Sequence, residues 1–426
     1  MKKRTYRAIA VKDADLSAVA EKIPVGSVFG IDIAKQEMFG AIMDPEKNIV
    51  LVLKWDHLRE SRRVAHWAAS TSQIEAVAME PSGTYGDALR ALFDSAGLAV
   101  FRLHPKQVKD AREIYDGVPS NHDAKASAII AWLHFLGRST LWPPDQKQER
   151  ERALKATLTT LQLHEKGFQQ TQNLLEGQLA RYWPELGELL ALDSVALLEL
   201  LAHFGDPREV AKAPKQARER LRRWGRNGLK SEKISAVVAS AEKTLGVPMI
   251  EAETQALREL AAEARRRQKA LRATRRRLES LGREDDETAR LAKSVGTVTA
   301  SVLVCQLGPL TGYPNTGCLL KAAGLNLKEV SSGTREGRLS ITKRGASLQR
   351  RYLYLAVLRW IQTDRWARAW YEHKVRNDGG KIKRKALIAL MRKLLRGLWW
   401  VARGHTFDSE KLFDVQRLQG SNLRAA

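Results

Sequence analysis

Cysteine is nearly missing from this sequence. Cys305 and Cys318 are the only two in 426 residues. Neither has a His or Cys partner at ligand spacing, which excludes a disulfide framework and a structural zinc site and leads us to expect a reduced, cytoplasmic protein. Long apolar runs are missing too: none approaches the roughly 18 residues a membrane span needs. The opening MKKRTYRAIAVKDADL is basic but lacks the apolar stretch of a secretory signal. Internal repeats and low-complexity tracts are also absent. Acidic residues fall short of basic ones, 48 against 72, giving a net charge of +24. That excess opposes compact folding unless a polyanion offsets it, and nucleic acid is the first expectation. The 44% hydrophobic and 28% charged content is that of a folded, water-facing chain.

Residues 25–55 read as three strands, VGSVFGIDIA, EMFGAIMD and NIVLVLKW, divided by polar turns. A helix over 57–70, a strand over 74–80, a helix opened by Thr84 (85–96), a strand over 98–105 and helices over 105–115 and 122–137 follow. Three antiparallel strands and then alternating helix and strand are the order of an RNase-H-like α/β domain, although other mixed folds share it. Trp142-Pro143-Pro144-Asp145 marks a boundary. Beyond it, Leu154, Leu161, Phe168 and Leu175 recur every seven residues in a helix over 150–182, as do Leu257, Ala264, Leu271 and Leu278 in a helix over 251–282. The pair predicts an antiparallel coiled-coil arm or a dimerisation element. The expected domains are an N-terminal extension (1–24), the α/β domain (25–145), a helical coiled-coil region with a basic insertion (146–285), a mainly α domain (286–410) and a tail (411–426).

Carboxylates supply the chemistry. Asp32 lies between isoleucines in the first strand, where an unpaired charge is costly. Glu80 ends the fourth strand before a Pro/Gly turn, and Asp123 opens the helix HDAKASAIIAWLHF. Taken singly they are a satisfied core acid, a solvated strand end and a helix cap. In an RNase-H-like sheet the first and fourth strands are neighbours, so the three acids converge as a hard-oxygen set suited to Mg²⁺. The turn Lys293–Ala300 joins two helical patterns and offers backbone N–H groups to phosphate.

AAGLNLKEVSSGTREGRLSITKRG (322–345) is glycine-rich and basic. Ser331, Ser332 and Ser340 stand among Arg335, Arg338, Lys343 and Arg344. From the residues alone an ordinary phosphate-binding loop is the stronger reading, and a hydroxyl nucleophile the weaker. Phosphate contacts are expected from Arg218, Arg222, Arg223 and Arg226, from Arg266 and Arg276 in two triple-arginine clusters, and from Arg350 and Arg351. Lys381 to Lys385 add charge beside Trp360, Trp366, Trp370, Trp399 and Trp400, most of which are expected in helix cores.

GIDIAK, MEPSGTY and HDAKASA, with the acids 48 and 43 residues apart, resemble the DEDD transposases of the insertion-sequence family numbered one hundred and ten. The resemblance covers 25–140 and 286–410. It implies a RuvC-like domain holding Mg²⁺ through Asp32, Glu80 and Asp123. It also implies a catalytic serine at Ser332, placed by the pattern GL, six residues, SG. Further implications are a phosphoserine link during strand exchange, a guide (bridge) RNA, double-stranded target and donor DNA, and a homo-oligomer such as a dimer of dimers. One position departs from the family: the second acid of the helical pattern is Ala126, which predicts weaker metal binding and cleavage. Two other readings stay open, a RuvC-like nuclease without serine chemistry and a non-catalytic scaffold that coats nucleic acid.

Overall fold

The computed structural model describes residues 6–81, 83–142, 149–226, 228–329, 339–377, 380, 382–416 and 418. It divides into two compact units, 1–146 and 147–426. Among the described residues no helix is long and apolar enough to cross a membrane.

The first unit is built on β1 (Ile9–Ala10), β2 (Ser27–Asp32), β3 (Glu37–Met43), β4 (Ile49–Asp56), β5 (Ile74–Met79), β6 (Val100–Arg102) and β7 (Thr140–Leu141). Its helices are α1 (Leu16–Ala20), α2 (His57–Ser70), α3 (Asp87–Ser95), α4 (Pro105–Asp116) and α5 (Asp123–Phe135). The sheet order is β1-β4-β3-β2-β5-β6-β7. The meander β2-β3-β4 is antiparallel, and β5 and then β6 add in parallel on the other side of β2. Without its edge strands β1 and β7, this order is consistent with an RNase-H-like domain. Alternation along β2 sends Phe29 and Ile31 into one apolar layer with Trp55, Trp67 and Phe93. Val28 goes to the opposite layer with Ala78, Val108, Ile129 and Ile130.

Three details correct the sequence expectation. Within the expected 1–24 extension, Ile9 and Ala10 join the sheet, pairing in parallel with Leu53 and Lys54 of β4. Thr84 does not cap α3. Gly86 precedes the helix instead, where a Cβ would come within 2.3 Å of Ile33 Cδ1. The strand expected over 98–105 contracts to three residues, since Pro105 at the first turn starts α4.

The second unit contains α6 (Glu149–Tyr182), α7 (Pro184–Leu189), α8 (Val195–Phe204), α9 (Pro207–Lys212), α10 (Pro214–Gly225), α11 (Ser231–Glu242) and α12 (Glu251–Arg283). Beyond these come α13 (Asp286–Val295), α14 (Thr297–Leu307), α15 (Thr316–Ala322), β8 (Leu327–Lys328), β9 (Ser340–Ile341), α16 (Leu348–Thr363), α17 (Arg365–Asn377) and α18 (Lys383–Ala402). α6 and α12 run antiparallel: Arg150 reaches Asp285, Glu165 meets Arg275 and Tyr182 meets Glu253. All eight heptad residues of the pair are buried. The seam is not a solvated two-helix arm, because α8 also packs on α12 and the heptad residues share one core with Leu197, Leu201 and Val237. Val302 of α14 and Leu348 and Tyr352 of α16 enter that same core, so 146–285 and 286–410 fold as one unit. The small β8–β9 hairpin was not foreseen, since two-residue strands leave no periodic pattern to read.

Candidate active site

The parallel register of β2 and β5 pairs Gly30 with Ala78 and Ile31 with Met79. One step further, Asp32 and Glu80 stand at the carboxyl ends of neighbouring strands, where α/β sheets commonly place their ligands. By the two-residue period both acids lie on the Val28 and Ala78 face, the side covered by α4 and α5.

Gly30 is what lets α5 come close. A Cβ there would sit 2.3 Å from the Ser127 carbonyl oxygen and 2.5 Å from the Ala131 nitrogen. This close approach brings the N-terminal end of α5, where Asp123 is the first helical residue, toward Asp32. The helix cap itself is His122, whose ring nitrogen accepts from the Lys125 amide at 3.2 Å. Asp123 is therefore left exposed in the first turn.

The electrostatics place Asp32 within range of both other acids. Burial, then repulsion from Asp123 and Glu80, raises Asp32 to about 7, against a pull from Arg112 in the other direction. Burial also raises Glu80, again opposed by Arg112. Burial together with like-charge repulsion, as at Asp32, is the environment in which a carboxylate gains from a bound cation. The donor set is all oxygen, as Mg²⁺ prefers, and that ion completes its shell with water and substrate phosphate rather than with many side chains. Two strand-end carboxylates and a third within electrostatic range fit this habit. Among the described residues, no three His, Cys, Asp or Glu side chains already stand close enough to hold an ion. Ala126 is buried in α5 and contributes no charge.

Sequence reasoning missed two cations here. Arg112 sits on α4 with no motif to signal it. Lys125 is almost wholly buried, its ammonium 2.7 Å from Asp116 Oδ1 and 2.5 Å from the Val118 carbonyl oxygen. Burial of Asp116 works against its ionisation. Even so, Lys125, the Val118 amide and the Tyr6 hydroxyl hold its carboxyl below the usual range. This buried pair ties the end of α4 to the start of α5, the two helices that cover the acids. A lysine in the first turn of a helix gives no sign of burial in the sequence. Gly30 was a readable signal, since an isolated glycine inside a strand pattern marks close backbone approach.

In the second unit, Arg218, Arg222, Arg223 and Arg226 are exposed along α10 and its C-terminal end, and Arg276 is exposed on α12. Lys343 and Arg344 are exposed beside β9, and Ser340 lies exposed within it. Three of the expected phosphate contacts serve other partners. Arg266 pairs with Glu263 at 2.6 Å, and Glu263 is held near 2 by hydrogen bonds from Arg266 and Arg267. Arg350 bonds three backbone carbonyls, and Arg351 pairs with Glu165. Ser331, Ser332, Arg335, Arg338 and Lys381 lie outside the described residues. Trp360 and Trp399 are core residues as expected, whereas Trp400 is half exposed.

Comparison with known proteins finds two matched stretches, the first of which runs from the α/β unit through α6. Residues 29–184 match a family of DEDD transposases, and residues 289–372 match the transposase family of IS116, IS110 and IS902. The fold, the strand-end acids and these matches define a transposase, an enzyme that processes DNA. An "Insertion element IS110 uncharacterized 43.6 kDa protein" of Streptomyces coelicolor is 25% identical over 403 residues, covering 91% of this chain and 96% of that protein. The two family matches together span more than half of the chain, and the chain belongs to the IS110 family of transposases.

Proposed function

We propose that this transposase is an RNA-guided DNA recombinase in which Asp32, Glu80 and Asp123 hold Mg²⁺ and Ser332 is the nucleophile. The observation that carries the carboxylate half is the meeting of Asp32 and Glu80 at adjacent strand ends, with Asp32 raised to about 7. The serine half is supported by the resemblance of residues 322–345 to the family's serine segment and by the arginines and lysines that follow Ser332 in the sequence. The net charge of +24 supports DNA and a structured guide RNA as partners, since each neutralised phosphate releases counterions.

In the reaction, the Ser332 oxygen forms a bond to phosphorus while the bond from phosphorus to one strand breaks, and that strand leaves as a hydroxyl. Attack by a hydroxyl of the partner DNA reverses the step and frees the serine. When bound, Mg²⁺ supplies charge neutralisation at the attacking and leaving oxygens. Asp32 and Glu80 are fixed by the sheet, and Asp123 approaches from the first turn of α5. Arg112 favours the charged forms of Asp32 and Glu80. Exchange of two duplexes requires several cuts held together, which supports a dimer or dimer of dimers in the cytoplasm.

The test is a denaturing gel of the chain with its guide RNA and labelled DNA. It is run with the parent, with Ser332→Ala and with Glu80→Gln, each also in an Ala126→Asp background. A covalent adduct lost in both variants supports the proposal. Nicking without an adduct points to a RuvC-like nuclease, and neither activity points to a scaffold.

A further inference from the structure

Gln349-Arg350-Arg351-Tyr352 has the composition of a phosphate-binding stretch, yet its charges serve the protein's own backbone and core. Nη1 of Arg350 donates to the carbonyl oxygens of Ala323 (3.2 Å), Arg344 (3.2 Å) and Gly345 (3.4 Å). Those carbonyls lie on the two sides of the segment that contains Ser332: the chain enters it past Ala323 and Gly324 and leaves it at Arg344 and Gly345.

The two sides are pinched together. The Lys343 amide donates to the Gly324 carbonyl and the Thr342 amide to that of Asn326, each at 3.0 Å. The Thr342 hydroxyl bonds Asn326 Oδ1 at 2.5 Å. Gly324, Lys343 and Gly345 all have positive φ. A Cβ on Gly324 would lie 2.1 Å from the Arg344 oxygen and 2.8 Å from Arg350 Nη1. Glycine takes up left-handed backbone freely, whereas at Lys343 it is costly unless the surroundings fix it.

The next two residues are held from a different direction. Glu165 of α6, its side chain 7% exposed, accepts from the Tyr352 hydroxyl at 2.7 Å, from Arg351 at 3.1 Å and from Arg275 of α12 at 3.2 Å. The first turn of α16 is thus fixed to the α6–α12 pair through one carboxylate, and the mouth of the serine segment is fixed to that same turn.

The geometry points to Arg350 as a positioning residue that fastens the two flanks of the Ser332 segment, with Glu165 anchoring that fastening to the long helices. The inference rests on the proposed role of Ser332 for its catalytic consequence, but not for the fastening itself. A phosphate contact at Arg350 is the competing assignment, and the two differ in what they predict.

Hydrogen exchange and DNA binding are measured on the full chain and on Arg350→Met, which keeps the stem and removes the donors. The expected result is exchange about tenfold faster at Leu325–Lys328 and Ile341–Lys343, no change in α6 and α12, and an unchanged slope of log affinity against log salt. Arg350→Lys, with three donors on one nitrogen, restores most of the protection, and it decides the matter if the methionine chain does not fold. Unchanged exchange in Arg350→Met overturns the inference, as does a folded lysine chain without protection. A slope lowered by about one with unchanged exchange assigns Arg350 to phosphate instead.

Adduct formation at saturating DNA separates the two readings. If neither the parent nor its Ala126→Asp form gives a Ser332-dependent adduct, the serine reading fails and the fastening is judged by exchange alone. In whichever of the two forms it, Arg350→Met slows it about tenfold with DNA affinity unchanged. An equal rate leaves the serine in place and removes the positioning role.

Discussion

The strand-end acids of the first unit and the arginines of the second contrast in how far residue type predicts use. An acid among apolar strand residues has few tolerable structural uses, so Asp32 and Glu80 were readable as a pair. The β2–β5 register then brought them to one sheet edge. Arginine is far less committed. Its planar fork serves phosphates, carboxylates and backbone carbonyls alike, and in the second unit carboxylates and carbonyls take three of the arginines expected on phosphate. Arg266 and Arg351 pair with Glu263 and Glu165, while Arg350 fastens a hairpin. A basic stretch in a strongly cationic chain therefore predicts a partner for the whole molecule better than it predicts which side chains meet it.

The sharpest way to break the first half of this contrast is to move α5. Gly30→Val places atoms where the backbone of Ser127 and Ala131 already lies, and the expected loss is about 3 kcal/mol or more. Denaturant unfolding measures it, and a loss under about 1 kcal/mol would show that α5 is not held by this close approach. Lys125→Met should cost nearly as much, about 3 kcal/mol, because it leaves Asp116 partly buried without its cation. The double change with Asp116→Asn should recover much of it, and no recovery would place the cost in packing.

Acidity provides the next test. Asp32 is raised, so between about pH 4 and pH 7 the folded chain keeps a proton that the unfolded chain has released. Stability in the absence of divalent ions therefore falls as pH rises through that window, and Asp32 adds no further slope above it. Asp32→Asn should shrink the slope and stabilise the chain at pH 8 by a few kcal/mol. An identical pH profile for both chains would mean that Asp32 ionises normally.

The smallest effect on folding is expected at α10. Replacing Arg218, Arg222, Arg223 and Arg226 together should change stability by no more than about 0.5 kcal/mol per residue. It should lower the salt slope of nucleic-acid binding by about 0.9 for each phosphate that the chain no longer neutralises. A large fall in stability with an unchanged slope would place these arginines with Arg350 and Arg351.

What the sequence made legible follows period and register. The three-strand meander, α2 over 57–70 and the two long heptad helices are regular patterns, and each forms where its period predicts. What stayed hidden depends on partners remote in sequence. Ile9 and Ala10 become a strand only because β4 offers an edge. Arg112 gains meaning from acids 32 and 80 residues before it. Glu165 reads as one more charge on a helix until Tyr352, 187 residues later, donates to it.

The claim that strand register builds an ion-binding centre is tested most directly by calorimetric Mg²⁺ titration of the full chain and of Asp32→Asn, at pH 8 and at pH 6. The account predicts binding by the parent at pH 8, weaker binding at pH 6 where protons compete for Asp32, and loss of that binding in Asp32→Asn. Equal Mg²⁺ affinity in the two chains at both pH values would contradict it.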